Sequence, residues 1–420
     1  MLRHLFNAQE QHQSTSSPVV SAHMIANMVK NVIVVGGSYV GRATAQELAK
    51  VVPSSHRVLL IEPHSHFHHL FVFPRFAIVP SHEHKAFVPY TNLFSSVPNS
   101  ASHAVVHARV VSVQPRHVNL DREWEGSRQI PFDYLTVATG TLLSQPAAMR
   151  KDDKQSSVEY LKQHQEAIKQ AKSILLVGGG AVGVQMATDL KEYYPAKDVT
   201  LVHSRVHLMP QYHHKFHDLV KKRFDELHVN LITGARVRIP PQGFPTNGSP
   251  FEVQLTNGQK VTTEFVILAT GQSPNNSLVR DLEPENPNAV INPENGYIRV
   301  RSTLQFLDDK YPNLFAVGDI ADSGAHKAAR PGVAQAAVVA KNVQSLIEGR
   351  QAEEKYVPGP AGIHLSLGMK ENVIFRNPNK AEGETEPTIM PKSDGQEDMG
   401  VEGFWKRLGI DVKSPQQYHL

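Results

Sequence analysis

One layout, met twice, constrains this 420-residue chain more than anything else in it. At 31–62 a β-branched apolar run, NVIVV, meets Gly36, Gly37 and Gly41, then an Ala-rich segment, then a second apolar run at 57–61 closed by Glu62. Runs of this composition predict strands buried on both faces of a parallel sheet. The glycines predict a tight turn into a helix, whose N-terminal amides and dipole stabilise a phosphate. An acid at the end of the following strand is placed to accept ribose hydroxyls. One position departs from the motif: Ser38 stands where its second glycine is expected. At 173–203 the layout returns as SILLVGGGAVG, now with the complete spacing of Gly178, Gly180 and Gly183. Two strand-preceded, helix-followed glycine turns predict an α/β chain with two Rossmann-like dinucleotide-binding domains.

The units differ at the acid. The second closes on His203, Ser204 and Arg205. A carboxylate there would hold two ribose hydroxyls and repel a 2′-phosphate, whereas Arg beside Ser accepts that phosphate. The first unit, with Glu62, therefore suits the adenosine of FAD or NAD. The second suits NADPH or tolerates both nicotinamide nucleotides.

Each unit is completed by an Ala-Thr-Gly segment at the end of a buried strand: YLTVATG, with Thr139 and Gly140, and FVILATG, ending at Gly271. Small residues there let the backbone pass close to a ligand. The run NLFAVGDIAD (313–322) ends a further buried strand in Gly318-Asp319, an acid placed to reach the ribityl hydroxyls of a flavin. The helix expected over 327–348 aims its N-terminus at the ring. The alternative role for Asp319 is a plain helix N-cap.

The expected organisation is a disordered or targeting extension at 1–29, a discontinuous FAD domain at 30–150 and 288–350, and a nicotinamide-nucleotide domain at 151–287. A small C-terminal region (351–420) follows, with a hairpin at 362–375, a polar flexible insert at 377–398 and a short amphipathic end, FWKRL. That end either touches a membrane surface peripherally or packs on the chain's own core. The stretch 64–94, dense in His and aromatics, reads as a loop-and-helix cover over a flat ligand, with Arg75 and Lys85 available for phosphates or flavin carbonyls. No carboxylate sits among its histidines at ligand spacing, so no metal is expected.

Composition narrows the chemistry. There is no cysteine, which excludes a thiol relay, a disulfide and a thiolate metal site. Redox chemistry must come from a bound cofactor. A net charge of +3 gives no reason to expect nucleic acid as a partner. The compartment consistent with these features is cytoplasmic or mitochondrial, with no oligomeric state implied.

With both glycine turns, both Ala-Thr-Gly segments and Gly318-Asp319 in this order, the chain resembles the two-dinucleotide-binding-domain flavoprotein reductases. Within them it is similar to the apoptosis-inducing-factor-like, ferroptosis-suppressor-type NAD(P)H:quinone oxidoreductases, in a branch that looks fungal. His68-His69, Arg75, Lys85, Phe87, Tyr90, EYYPAKDVTLVHSR and YPNLFAVGDIAD carry the resemblance, over about 30–370. It implies FAD held by Gly36, Gly37, Ser38, Tyr39, Val40, Gly41, Glu62, Arg75, Lys85, the Val110 backbone, Thr139, Gly140 and Asp319. NADPH or NADH would be the donor and a quinone or other aromatic molecule the acceptor. One departure is Gln185, where the family usually has a glutamate at the flavin edge. Gln185 can hydrogen-bond there but cannot deliver a proton. Two other readings stay open: an oxidoreductase acting on an aromatic intermediate of a fungal specialised-metabolite pathway, and a redox signalling protein with little turnover.

Overall fold

The computed structural model describes residues 29–420, so the expectation for 1–29 lies almost entirely outside the described residues. Two parallel sheets organise the rest. The first has five strands in the order Leu314–Ala316, Tyr134–Val137, Lys30–Val35, His56–Glu62, Ala104–His107. The second has four, in the order Asn230–Ile232, Asp198–Val202, Ser173–Val177, Phe265–Leu268. All neighbouring pairs in both sheets are parallel. The central strands are buried over their apolar runs, Val32–Val35, Leu135–Val137 and Ile174–Val177, as such runs require. The α/β class expected from the repeat is the class observed.

The helix Tyr39–Val51 buries Gly41, Thr44, Ala45, Leu48 and Ala49, an i, i+3, i+4, i+7 stripe of mostly small side chains. It packs closely against the helix Ala329–Ile347. A Cβ on Gly332 would stand 2.4 Å from a Val40 methyl carbon, so only glycine admits this approach. The contact brings the N-terminal end of the second helix beside the glycine turn of the first. An antiparallel ribbon, Thr141–Leu142 with Ser273–Pro274, leads out of the two Ala-Thr-Gly segments and ties one sheet to the other.

The helix Lys154–Gln170 starts where Asp153 caps it by accepting the Ser156 amide at 2.7 Å. One expectation needs correction. The insert at 377–398 is not shapeless, since Thr388–Lys392 adds a third strand to the expected hairpin, pairing Ile389 with Phe375. Its apolar run is only Ile389-Met390 between polar flanks, too short to mark a strand by periodicity.

The C-terminal end packs on the body of the protein. Trp405, in the helix Val401–Arg407, is fully buried and donates from Nε1 to the Lys85 carbonyl at 2.8 Å. Phe404 stacks on His69 with ring centroids 3.7 Å apart. These two side chains are therefore not available to a bilayer. No helix among the described residues is long and apolar enough to cross a membrane.

Candidate functional site: two nucleotide turns and the crevice between them

The two glycine turns are built alike in backbone. Gly36 has φ +100°, and a Cβ on it would lie 2.7 Å from the Ala138 carbonyl oxygen. Gly178 has φ +118°, and a Cβ on it would lie 2.3 Å from the Ala269 carbonyl oxygen. Side chains rarely adopt such angles, and here nothing larger than hydrogen fits. Each Ala-Thr-Gly segment thus abuts the first glycine of its own unit. The third motif glycines are as constrained: a Cβ on Gly41 or Gly183 would fall within 1.7 or 1.9 Å of the Gly36 or Gly178 carbonyl oxygen. Ser38 ends the first turn as the helix N-cap residue and makes no side-chain capping bond, leaving its hydroxyl free for a ligand.

Strand ends complete the parallel. Glu62 accepts the Gly37 amide on Oε2, while its Oε1 accepts the His64 amide at 2.9 Å. In the second unit His203 stands in the same place and accepts the Gly179 amide on Nδ1 at 3.0 Å. Arg205 and Ser204 follow, both exposed.

Several positions fit an FAD molecule. The Asp319 carboxylate makes no hydrogen bond among the described residues, and burial raises its pKa against the pull of Lys327. A half-buried carboxylate without a protein donor is the kind of group that ribityl hydroxyls would engage. Gly318 beside it has φ +73° and donates its amide to Gln335 Oε1 at 2.7 Å, while Gln335 Nε2 donates to Ser323. Gln335 is fully buried and fixes the turn, a role its sequence position in mid-helix does not advertise. The helix Ala329–Ile347 starts without a side-chain cap and with no acid in its first turn, so its first amides are free to face a ligand. Lys327 donates to the Ala321 carbonyl at 2.7 Å and lies over the Tyr297 ring at 3.9 Å. Gly140, φ +62°, and Gly271 each have open space where a Cβ would be. Thr139 Oγ1 donates to the Asn275 carbonyl at 2.7 Å, linking the first Ala-Thr-Gly segment to the chain just beyond the second. Val110 opens a strand and is 9% exposed. Its backbone stands where the register with the next strand shifts.

The structure places Arg75 and Lys85 elsewhere than the resemblance implies. Arg75 is 1% exposed and gives its donors to Asp189 at 2.7 and 2.8 Å, Ser366 Oγ, and the carbonyls of Gly368, Gln396 and Glu397. A buried guanidinium must satisfy its whole fork, and this one does so within the protein. No donor is left over for a flavin carbonyl. Lys85 turns toward the C-terminal segment as well, with Nζ 3.0 Å from His82 Nδ1, 3.9 Å from Asp398 and over the Tyr418 ring.

Gln185 lies one helical turn before Asp189. Its Nε2 is 3.5 Å from Asp189 Oδ2 and 3.6 Å from Met399 Sδ. A glutamate at this position would stand beside a buried carboxylate whose one cation is already committed. Gln185 matches that neighbourhood by donating to it. Tyr39 sits inside the first glycine turn, and its hydroxyl is 2.6 Å from His69 Nδ1. Burial raises the Tyr39 pKa and lowers that of His69 to about 3, so both are neutral. The His68–Phe87 and Tyr39–Phe67 edge contacts and the His69–Phe404 stack form an aromatic cluster beside the first glycine turn.

Known proteins share this build. Residues 30–340 match the family model of pyridine nucleotide-disulphide oxidoreductases. The chain is 32% identical to Fe-regulated protein 8 of Mycosarcoma maydis, over 92% of this chain and 97% of that one. It is 30% identical to apoptosis-inducing factor homolog A of Dictyostelium discoideum, covering 83% and 86%. Human ferroptosis suppressor protein 1 is 26% identical, with 90% and 95% covered. Among solved structures, the sulfide:quinone oxidoreductase of Aquifex aeolicus superposes with a TM-score of 0.69 at 19% identity, over 90% of each chain, a likeness of fold. With its paired glycine turns, paired Ala-Thr-Gly segments and half-buried Asp319, the chain belongs to the pyridine nucleotide-disulphide oxidoreductase family, in the branch of apoptosis-inducing-factor and ferroptosis-suppressor homologues, and is an FAD-dependent NAD(P)H oxidoreductase.

Proposed function

We propose that the protein passes reducing equivalents from NAD(P)H through FAD to a small planar acceptor of the quinone class. The observation that carries this reading is the pair of equivalent nucleotide turns, joined by the ribbon Thr141–Leu142 with Ser273–Pro274. Residues 30–150 and 288–350 form the FAD part, 151–287 the nicotinamide-nucleotide part, and 351–420 closes over both. Residues 36–41, Glu62, Thr139, Gly140, Val110 and Asp319 hold FAD. Gly178, Gly180, Gly183, His203, Arg205 and Gly271 line the second nucleotide's path. FAD bound by these residues would supply the two-electron chemistry that links NAD(P)H oxidation to acceptor reduction.

The chain's own residues orient and insulate. Amides at the start of Ala329–Ile347 and the Lys327 ammonium stabilise negative charge near the ring. The rings of His69, Phe67 and Phe404 pack around Tyr39 and keep water from that side of the first glycine turn. Gln185 donates a hydrogen bond but holds no transferable proton, so the protons that complete acceptor reduction arrive from water. The family's name includes disulphide, yet this chain has no cysteine. Electrons therefore leave for a diffusible acceptor without a thiol relay, as a quinone permits.

The test is an anaerobic titration of the FAD-loaded protein with NADPH and with NADH, followed by visible absorption. Bleaching of both flavin bands at one equivalent, reversed by a soluble quinone, supports the reading. Bleaching that no quinone reverses rejects the quinone class, in favour of a dedicated aromatic metabolite or a signalling role.

A further inference from the structure

Tyr39 is the first residue of the helix Tyr39–Val51, and its hydroxyl lies 2.6 Å from His69 Nδ1. The Phe71 amide donates to the same hydroxyl at 3.4 Å. Burial raises the Tyr39 pKa and lowers that of His69 to about 3, so the pair is uncharged. Arg407, whose guanidinium lies over the Phe404 ring at 5.5 Å, favours the phenolate and disfavours the imidazolium. In a neutral pair of this kind either the phenol donates to Nδ1 or Nδ1–H donates to the phenol.

The pair stands beside the groups that fit a flavin. A Cβ on Gly318, the residue before Asp319, would lie 3.2 Å from the methyl carbons of Val40, the neighbour of Tyr39. The helix Ala329–Ile347 also begins against Val40, through Gly332. From the other side Gln185 Nε2 reaches Met399 Sδ at 3.6 Å. Met399 leads into the helix Val401–Arg407, whose Phe404 stacks on His69. Tyr39 is half-buried, with the Phe71 ring 4.7 Å away and 54% exposed. His69 keeps an edge in water. Among the described residues, the side-chain polar atoms sealed from solvent without a partner are His68 Nε2, Thr136 Oγ1 and His203 Nε2. His69 Nε2 has no protein partner either and is not one of these, so it touches solvent.

We propose that Tyr39 is the acid that gives the acceptor its proton, and that His69 resupplies Tyr39 from water. The inference rests on the quinone reading above and names the route by which the water-derived proton arrives. Reducing a quinone to a hydroquinone takes two electrons and two protons, and Gln185 has no proton to give. The Tyr39 O–H bond breaks as the acceptor's O–H bond forms. The Nδ1–H bond of His69 breaks as the phenol re-forms, and Nε2 takes a proton from water. The imidazole ends as its other neutral tautomer and reverts through water between turnovers. Neither a phenolate nor an imidazolium has to persist in the buried pair.

Turnover per bound flavin is measured with a soluble quinone, which needs protons, and with ferricyanide, a one-electron acceptor that takes none. Tyr39→Phe keeps the ring and loses only the hydroxyl. It should lower quinone turnover relative to ferricyanide turnover by roughly tenfold or more, and His69→Gln should lower the ratio in the same direction. Long-range proton–nitrogen NMR spectra of the oxidised, acceptor-free protein give a readout apart from activity. His69 should remain neutral between about pH 5 and about pH 8, and Tyr39→Phe should move its Nδ1 resonance. An unchanged ratio in Tyr39→Phe, with both rates falling together or neither, makes the pair a structural tie and overturns the proposal. So does a His69 that titrates near 6.5. Either result leaves the quinone reading intact, whereas an unaltered protein that reduces ferricyanide and no quinone rejects both.

Discussion

Arg75 and Asp189 face each other through hydrogen bonds of 2.7 and 2.8 Å, with Arg75 1% and Asp189 0% exposed. The arginine belongs to the short helix Phe73–Phe76 of the first half, the aspartate to the helix Ala181–Tyr193 of the second. Through the carbonyls of Gly368, Gln396 and Glu397 the same guanidinium also holds the C-terminal region. One side chain clasps three parts of the molecule.

Removing one partner of that pair strands the other. Arg75→Leu should cost about 3–5 kcal/mol in denaturant unfolding, because Asp189 stays buried without its cation. The double variant Arg75→Leu with Asp189→Leu should recover a large part of the loss. If the double variant is as unstable as the single one, the carbonyl contacts of Arg75 matter more than the ion pair.

The third motif glycines separate the two nucleotide sites. Gly41→Ala places a methyl 1.7 Å from the Gly36 carbonyl oxygen and should yield a protein that does not retain FAD. Gly183→Ala does the same at 1.9 Å from the Gly178 oxygen. It should keep the flavin spectrum but lose bleaching by NADPH and NADH, while dithionite still bleaches it. Absorbance at the flavin bands, read against protein absorbance, distinguishes the two outcomes.

Asp319 should matter for FAD retention. Asp319→Ala removes an acceptor with no protein donor, so fold stability without FAD should change little or rise. FAD affinity, measured by fluorescence quenching on reconstitution, should fall by roughly tenfold or more. An unchanged affinity would mean that Asp319 does not contact FAD; it is not a helix cap, since the helix Ala329–Ile347 starts at Ala328 without a side-chain bond.

Buried histidines make stability depend on pH. His164 lies within the helix Lys154–Gln170, with Nδ1 3.1 Å from the Ala77 carbonyl, and burial lowers its pKa from 6.5 to about 4. The folded form resists protonation, so its stability is fully present above pH 6.5 and is lost as pH falls from there to about 4. His164→Asn preserves a donor toward Ala77 without a titrating ring. It should flatten the decline of stability over that interval by up to about 1.4 kcal/mol per pH unit. His69 and His84 shift the same way and should leave part of the slope in place.

Trp405 tests the C-terminal packing. Trp405→Ala opens a cavity beside Lys85 and should cost about 3–5 kcal/mol, visible as a lower thermal midpoint.

The sequence by itself determined the two glycine turns, the strands that enter them, the Ala-Thr-Gly closures and the Gly318-Asp319 turn. All of these are local: a buried parallel strand needs an unbroken apolar run, and a positive φ beneath a carbonyl needs glycine, so each leaves its mark within about ten residues. Tertiary structure alone decided what Arg75, Asp189, Gln335 and Trp405 do, since their partners lie far away along the chain and a buried polar group's role depends on which donors the fold brings to it. Arg75 shows the limit most clearly. A basic residue in an aromatic stretch has the same appearance whether it meets a flavin or a buried aspartate, and only the approach of the helix Ala181–Tyr193 decides between them. His203 lies between these cases: the missing acid is legible in the sequence, while the neutral acceptor that replaces it is visible only in the geometry of the Gly179 amide.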